Sequence, residues 1–168
     1  MKTRILFFAL LFSGFLSYAQ QDAQFTQYMY NTININPAYS GSRGAMSIFT
    51  LHRTQWVWLD GAPETNAVSV NTPFNESNLG LGVSLINDKI GPTQENNISV
   101  DLSYTIPASA TYKLSFGIKA TANLFDLDRS KLDPLVPIDH SMQNINKKFT
   151  PNMGVGVYLH SDQAYVGL

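Results

Sequence analysis

Residues 96–106 alternate strictly between two kinds of side chain. Ile98, Val100, Leu102, Tyr104 and Ile106 are apolar, and the interleaved Asn97, Ser99, Asp101, Ser103 and Thr105 are polar. A period of two marks a strand with two unlike faces, because successive side chains leave a pleated backbone on opposite sides. After Pro107-Ala108-Ser109-Ala110 the pattern resumes, with Tyr112, Leu114, Phe116, Ile118 and Ala120 set against Thr111, Lys113, Ser115, Gly117, Lys119 and Thr121. Two such runs across a short turn predict an antiparallel hairpin. A one-residue slip would move a strand's apolar set to the wrong face, so only registers pairing even with even positions are consistent. One of these sets Leu102 opposite Phe116 and leaves Asp101 diagonal to Lys119 on the polar face.

Other segments follow the same rule. Leu79, Leu81, Val83 and Leu85 alternate with Gly80, Gly82 and Ser84, and Met153, Val155, Val157 and Leu159 alternate with Asn152, Gly154, Gly156 and Tyr158. Val68 and Val70 sit between Ala67, Ser69 and Asn71, whereas the adjacent Ile48 and Phe49 leave the facing of residues 46–51 open. A further strand opens at Ala164, for about seven in all. Links at 71–78, 107–110 and 161–163 are short, and those at 53–63, 87–95 and 124–149 are longer. Short and long links therefore fall on opposite ends of one up-and-down sheet, the layout of outer-membrane barrels with tight periplasmic turns and long outer loops. On that reading the N-terminus is periplasmic, and Tyr104 and Tyr112 stand where an aromatic girdle is expected beside a short turn.

A soluble exported β-sandwich also alternates in and out. Its water-facing side, however, is usually rich in Lys and Glu. Here the polar positions are mostly Gly, Ser, Thr and Asn, and charged residues make up 14% of the chain, against about a quarter in typical soluble domains. The balance favours an all-β, antiparallel up-and-down transmembrane β-barrel. Seven strands with the last at Leu168 would leave two unpaired edges, which a bilayer does not tolerate. The expectation is the N-terminal half of a barrel, an incomplete domain over residues 44–168, with closure by two copies as the other route.

The first residues carry an address. Met1-Lys2-Thr3-Arg4 is basic, residues 5–16 are almost wholly apolar, and Ser17-Tyr18-Ala19 supplies small residues for a signal peptidase. A signal peptide over residues 1–19, cleaved between Ala19 and Gln20, is predicted. With no cysteine in the chain, disulfides, thiolate metal sites, thiol nucleophiles and an N-terminal lipid anchor are excluded. A net charge of −1 without a basic cluster argues against nucleic acid.

Little in the sequence speaks for catalysis. His52, His140 and His160 are far apart, and neither HExxH nor GxSxG occurs. Asp126-Leu127-Asp128-Arg129-Ser130 imitates a calcium loop, but its sixth position is Lys131 and its twelfth Pro137, where that loop needs Gly and Glu. A polar outer loop is the better reading. Gly80 and Gly82 alternate within a strand and precede no helix, so they read as small lumen-facing or bulge residues, not a phosphate cradle. A barrel hydrolase would need a Ser or Asp beside a His at the rim, and His52 with Asp60 is the one nearby pair. No cofactor, metal or small-molecule substrate is predicted.

Within a periplasmic N-terminal segment over residues 20–43, Phe25, Tyr28, Met29 and Thr32 fall at helical spacing before Asn36-Pro37 ends any helix. This segment is either a short helix or plug, or an aromatic lead-in packed on the first turn. Trp56 and Trp58 lie in or beside the first long loop, for interface anchoring or partner contact.

Three stretches jointly resemble one family. Phe25-Thr26-Gln27-Tyr28 with Asn34-Ile35-Asn36-Pro37-Ala38-Tyr39-Ser40-Gly41-Ser42 resembles the start of the PorP/SprF family of the Bacteroidetes type IX secretion and gliding machinery. Arg53-Thr54-Gln55-Trp56 with Gly61-Ala62-Pro63-Glu64-Thr65, and Leu79-Gly80-Leu81-Gly82-Val83-Ser84 with Asn87-Asp88-Lys89-Ile90-Gly91-Pro92, keep that family's order and spacing. The resemblance spans residues 24 to about 168, the N-terminal half of a family member. It implies an outer-membrane barrel that binds periplasmic secretion components or holds exported adhesins at the cell surface, with no catalytic motif. The matched residues then serve structure: Asn36, Pro37, Ala38, Tyr39 and Gly41 at the turn leading into the sheet, Trp56, Gly61 and Pro63 at a rim turn, and Asp88, Gly91 and Pro92 at another. A passive porin is the alternative.

Overall fold

The computed structural model describes residues 28–74, 77–128 and 145–168. Seven antiparallel strands follow one another in a single sheet in chain order, curled into a half-barrel. They are β1 (Ser47–Thr54), β2 (Glu64–Phe74), β3 (Leu79–Ile90), β4 (Thr93–Pro107), β5 (Lys113–Leu127), β6 (Ile145–His160) and β7 (Tyr165–Gly167). A single-turn helix α1 (Thr32–Ile35) and two 3-10 turns, Tyr28–Tyr30 and Pro37–Tyr39, precede them.

The alternation is realised with its burial inverted. Leu85, Val100, Leu102, Phe116 and Ile118 on the convex side are 42–58% exposed, whereas the facing Ser84, Ser99, Asp101, Ser103 and Ser115 on the concave side are at most 5% exposed. A sandwich would bury the first set in a second sheet; among the described residues there is one sheet, and its apolar side is open. Along β4 the apolar band runs from Ile98 to Ile106. Nine residues at about 3.3 Å each, tilted by about 40°, give roughly 23 Å, close to the apolar height of a membrane barrel. Phe74, Tyr104 and Phe116 share the row at the short-turn end.

The register obeys the even-with-even rule but sits two residues from the one considered above. Leu102 faces Ile118 and Tyr104 faces Phe116, which brings Asp101 directly opposite Lys119. The cause lies in the turn. Pro107 remains paired, with Lys113, while Tyr112 belongs to the link. There the Ser109 hydroxyl accepts the Thr111 and Tyr112 N–H groups (3.3 and 3.1 Å) and the Tyr112 carbonyl accepts from Ala108 and Ser109.

The expected long link at 87–95 is a second correction. β3 runs to Ile90 and β4 starts at Thr93, leaving only Gly91-Pro92 between them. Here both faces of the ribbon are polar, as with Asn87 bonding Asn96 (2.7 Å) on the outer side. The apolar alternation stops at this level although the backbone ladder continues. Likewise β5 extends to Leu127 and β6 begins at Ile145, with residues 129–144 outside those described. The facing of β1 is now settled: Ile48 points outward, 63% exposed, and Phe49 pairs with the inward-facing Ser69.

Candidate functional site

The concave face is occupied by the chain's own N-terminal segment. Asn36 is extended, as the residue before a proline must be, and Pro37 opens a 3-10 turn whose N-cap is the Asn36 side chain, accepting the Ala38 N–H at 2.9 Å. The same amide donates from Nδ2 to the carbonyls of Val157 (2.9 Å) and Leu168 (3.3 Å). One side chain thus shapes the segment and ties it to β6 and the chain beyond β7. Asn36, Pro37, Ala38 and Ser40 are buried.

Further ties come from other strands. Ser103 of β4 donates its hydroxyl to the Ser40 carbonyl at 2.6 Å, and Ser69 of β2 donates to Asn31 Oδ1 at 2.8 Å. On β5, Lys119 Nζ donates to the Ile33 and Asn34 carbonyls at 3.0 and 2.7 Å, near the C-terminal end of α1, where carbonyls lack helical partners. Its charge is balanced by Asp101 at 3.5 Å, a carboxylate with no exposure. Tyr39 packs edge-on against Tyr158, centroids 5.6 Å apart.

Inward glycines make room for this segment. A Cβ on Gly117 would collide with the backbone of Pro37 and Ala38, and one on Gly156 with the Asn36 side chain. Gly80 and Gly82, expected as small lumen-facing residues, lie under Ser40 and Ile33 in the same way. The seam mixes the buried apolar Ile33, Pro37 and Ala38 with polar groups, and Asn31 Nδ2, Ser40 Oγ, Asn71 Oδ1 and Ser84 Oγ are buried there without a hydrogen-bond partner. A cavity of about 340 Å³ is lined by Tyr30, Asn31 and Tyr39 of the segment and by Phe49, Ser69 and Asn71 of the sheet.

Over the described part of the stretch read from Phe25, Tyr28, Met29 and Thr32 as a short helix or plug, helical backbone is limited to separate single turns. Asn31, at φ −127° and ψ 52°, separates the Tyr28–Tyr30 turn from α1, and Met29 and Tyr30 are 55% and 64% exposed. Instead the segment is a chain of short turns that follows the curvature of the sheet.

The sequence-predicted residues fall into two groups that the fold does not bring together. Asn36, Pro37, Ala38, Tyr39 and Gly41 belong to the segment in the concavity, with Gly41 at φ +73° against the Pro73 and Gly80 backbone. Trp56, Gly61, Pro63, Asp88, Gly91 and Pro92 lie at the opposite end of the strands. There the Pro63 carbonyl accepts from Gln55, the Gly61 carbonyl accepts from Gly91 at 2.9 Å, and Asp88 accepts from Thr65 at 2.6 Å. Gly61 and Gly91 both have positive φ. Ala19 and Gln20 lie outside the described residues. Sequence reasoning does not single out Lys119, Ser103 and Ser69 as site residues; the signal for the two serines is small polar side chains recurring on the inward side, and for Lys119 it is Asp101 on the same polar face.

Neither of the two described histidines gathers catalytic partners. His52 meets Asn66 (2.7 Å), Thr54 (3.1 Å) and Glu64 (4.0 Å) instead of Asp60. His160 stacks on Tyr158, and His140 lies outside the described residues. Among the described residues no three His, Asp or Glu side chains are placed to hold a metal.

A curled up-and-down sheet, apolar outside and polar inside with a segment tied into its hollow, defines a β-barrel type of membrane protein with an occupied interior. Over residues 17–168 the chain matches the model of a family described as type IX secretion system membrane protein PorP/SprF, and it belongs to that family. No curated protein and no solved structure matches the chain.

Proposed function

We propose that this protein is an outer-membrane component of the type IX secretion and gliding machinery, acting by binding protein partners and not by chemistry or solute passage. Cleavage of residues 1–19 between Ala19 and Gln20 delivers it to the periplasm, and the N-terminal segment enters the barrel from the periplasmic side. Secretion components of the periplasm or exported adhesins are the partners, with outer-membrane lipid around the convex face.

The observation that carries this reading is the segment tied into the concave face by Asn36, Ser103, Ser69 and Lys119. A passive porin needs a water-filled lumen, and here a segment of the chain itself lies in the hollow of the half-barrel. The decisive experiment reconstitutes the full-length protein in planar bilayers and separately isolates it from cells under mild detergent. Low conductance together with stoichiometric co-isolation of secretion-ring or adhesin proteins is expected. Large, steady single-channel conductance with no co-isolated protein would instead establish the porin. This chain lacks cysteine, so with any cysteine elsewhere in the full-length protein replaced, orientation can be read with a membrane-impermeant maleimide: Asp60→Cys should label in intact cells, and Ser109→Cys only after the outer membrane is opened.

A further inference from the structure

The link between β1 and β2 exposes four consecutive large apolar side chains. Trp56, Val57, Trp58 and Leu59 are 67%, 62%, 99% and 60% exposed. Trp56 and Trp58 have φ of +50° and +80°, the left-handed region that bulky residues avoid. Such outliers persist where the surroundings over-determine them, and they concentrate at binding and switch sites.

The loop is nonetheless held. Gln55 N–H bonds the Pro63 carbonyl (3.0 Å), Leu59 N–H bonds the Trp56 carbonyl (3.0 Å) and Ala62 N–H bonds the Leu59 carbonyl (3.1 Å). At its base the Gly61 carbonyl takes the Gly91 N–H, and a Cβ on Gly61 would stand 3.2 Å from Gly91 Cα. The neighbouring β3–β4 turn therefore braces the loop, and the indoles are presented on a fixed support. Trp58 is almost fully exposed, so burial within the described residues does not offset its backbone strain.

Lipid is the first occupant to weigh. On β1 to β4, the strands that carry the loop and its brace, two outward rows without an apolar side chain lie between the apolar band and the loop: His52, Asn66, Asn87 and Asn96, then Thr54, Glu64, Lys89 and Gln94; the first row becomes apolar only farther round the sheet, at Leu124 and Phe149. Four residues along a tilted strand place the loop about 10 Å beyond the band, farther than the roughly 5–8 Å of headgroup region on each side. Among the described residues the opposite end of the sheet offers no comparable run of apolar side chains, since its links carry Ser77 and Asn78, Ala108 to Tyr112 with the single aromatic Tyr112, and Ser161 to Ala164. Indole clusters on a rigid support are what dominate protein–protein interfaces.

We infer that Trp56–Leu59 is a docking surface for a protein, an exported one bearing an apolar pocket that receives an indole, engaged on the side away from the short turns. This deepens the partner-binding reading and rests on it: it selects the outer end, and hence an exported partner over the periplasmic ring. The recognition is by burial, because Asp60, Glu64 and Lys89 leave the vicinity close to neutral in charge.

The test has two arms. First, intrinsic fluorescence of the full-length protein in phosphatidylethanolamine–phosphatidylglycerol vesicles is compared with that of W56F/W58F, so that the difference reports on Trp56 and Trp58, the two tryptophans of this chain. Quenching by iodide and not by brominated lipid is expected; strong quenching by brominated lipid would assign the loop to the membrane and overturn the inference. Second, a photocrosslinking amino acid at Trp58 or at Ser109 is installed in cells. Position 58 should capture one exported protein, identified by mass spectrometry, whose purified form binds W56A/W58A at least tenfold more weakly at unchanged barrel levels. A crosslink from 58 to a second copy of this chain, or a protein captured from 109 alone, overturns the inference while leaving partner binding intact. No protein from either position, with open conductance, overturns both.

Discussion

Leu102 and Asp101 are neighbours on one strand, yet the leucine is 42% exposed and the aspartate not at all. The comparison extends across the sheet. Its outward side chains are large, apolar and uncovered, and its inward ones are small, polar and covered by residues 31–41 of the same chain. In a water-soluble domain this arrangement would be inside out, since burying hydrocarbon is the main driving force of folding. It is stable where hydrocarbon surrounds the convex side and the chain's own polar segment lines the other. The two faces therefore answer to different solvents, and they should fail in different ways.

The largest effect is expected on the inner face. Lys119→Met would remove both hydrogen bonds to the segment and strand Asp101 with no opposite charge, costing about 3–5 kcal/mol, as for one partner of a buried pair. Thermal unfolding of the purified barrel should show it, and the double variant D101N/K119M should recover much of the loss. If the double variant were as damaged as K119M, the ion pair would not be what matters.

Next comes the outer face. Leu102→Arg places a charge near the middle of the apolar band, where about 2–4 kcal/mol is typical. Barrel assembly, followed by heat-modifiable gel mobility, should fall sharply, whereas L102F should assemble normally. An assembled L102R protein at full level would remove lipid from the convex side.

Gly117→Val separates the faces most cleanly. Its new side chain would meet Pro37 and Ala38 and cost about 1–3 kcal/mol of overpacking. The sheet should persist while the segment loosens, read as faster proteolysis between residues 31 and 41 and as raised conductance. Unchanged proteolysis would mean that the segment is not seated by that glycine.

The smallest effect is at the tip of the β3–β4 hairpin. Gly91 sits at φ +55° with nothing near its missing Cβ. Gly91→Val should cost about 1–2 kcal/mol through the backbone alone, reducing outer-membrane assembly modestly. Normal heat-modifiable levels would show that the turn accommodates a branched residue.

Much of the architecture was legible in the alternation. β3 to β6 could be placed, and their facing assigned, because lipid and lumen impose a period of two that few other environments sustain. Where both faces turn polar, as at Asn87 and Asn96, that signal vanishes although the ladder continues, and so a tight hairpin read as a long loop. The β4–β5 register escaped by two residues because parity forbids odd slips only. The choice among even ones fell to the turn formed by Ser109 and Tyr112.

A two-faced antiparallel sheet, up-and-down and free of thiols, with glycines and serines on one side, follows from the order of residues alone. Local sterics and the pleat suffice for that. That residues 31–41 lie in the hollow, that Asn36 and Lys119 hold them there, and that Asp101 meets Lys119 face to face come from the folded arrangement. These are contacts between positions as much as 132 residues apart. A polar residue facing a lumen looks the same in sequence whether water or a neighbouring segment satisfies it, and only folding in three dimensions settles which one does.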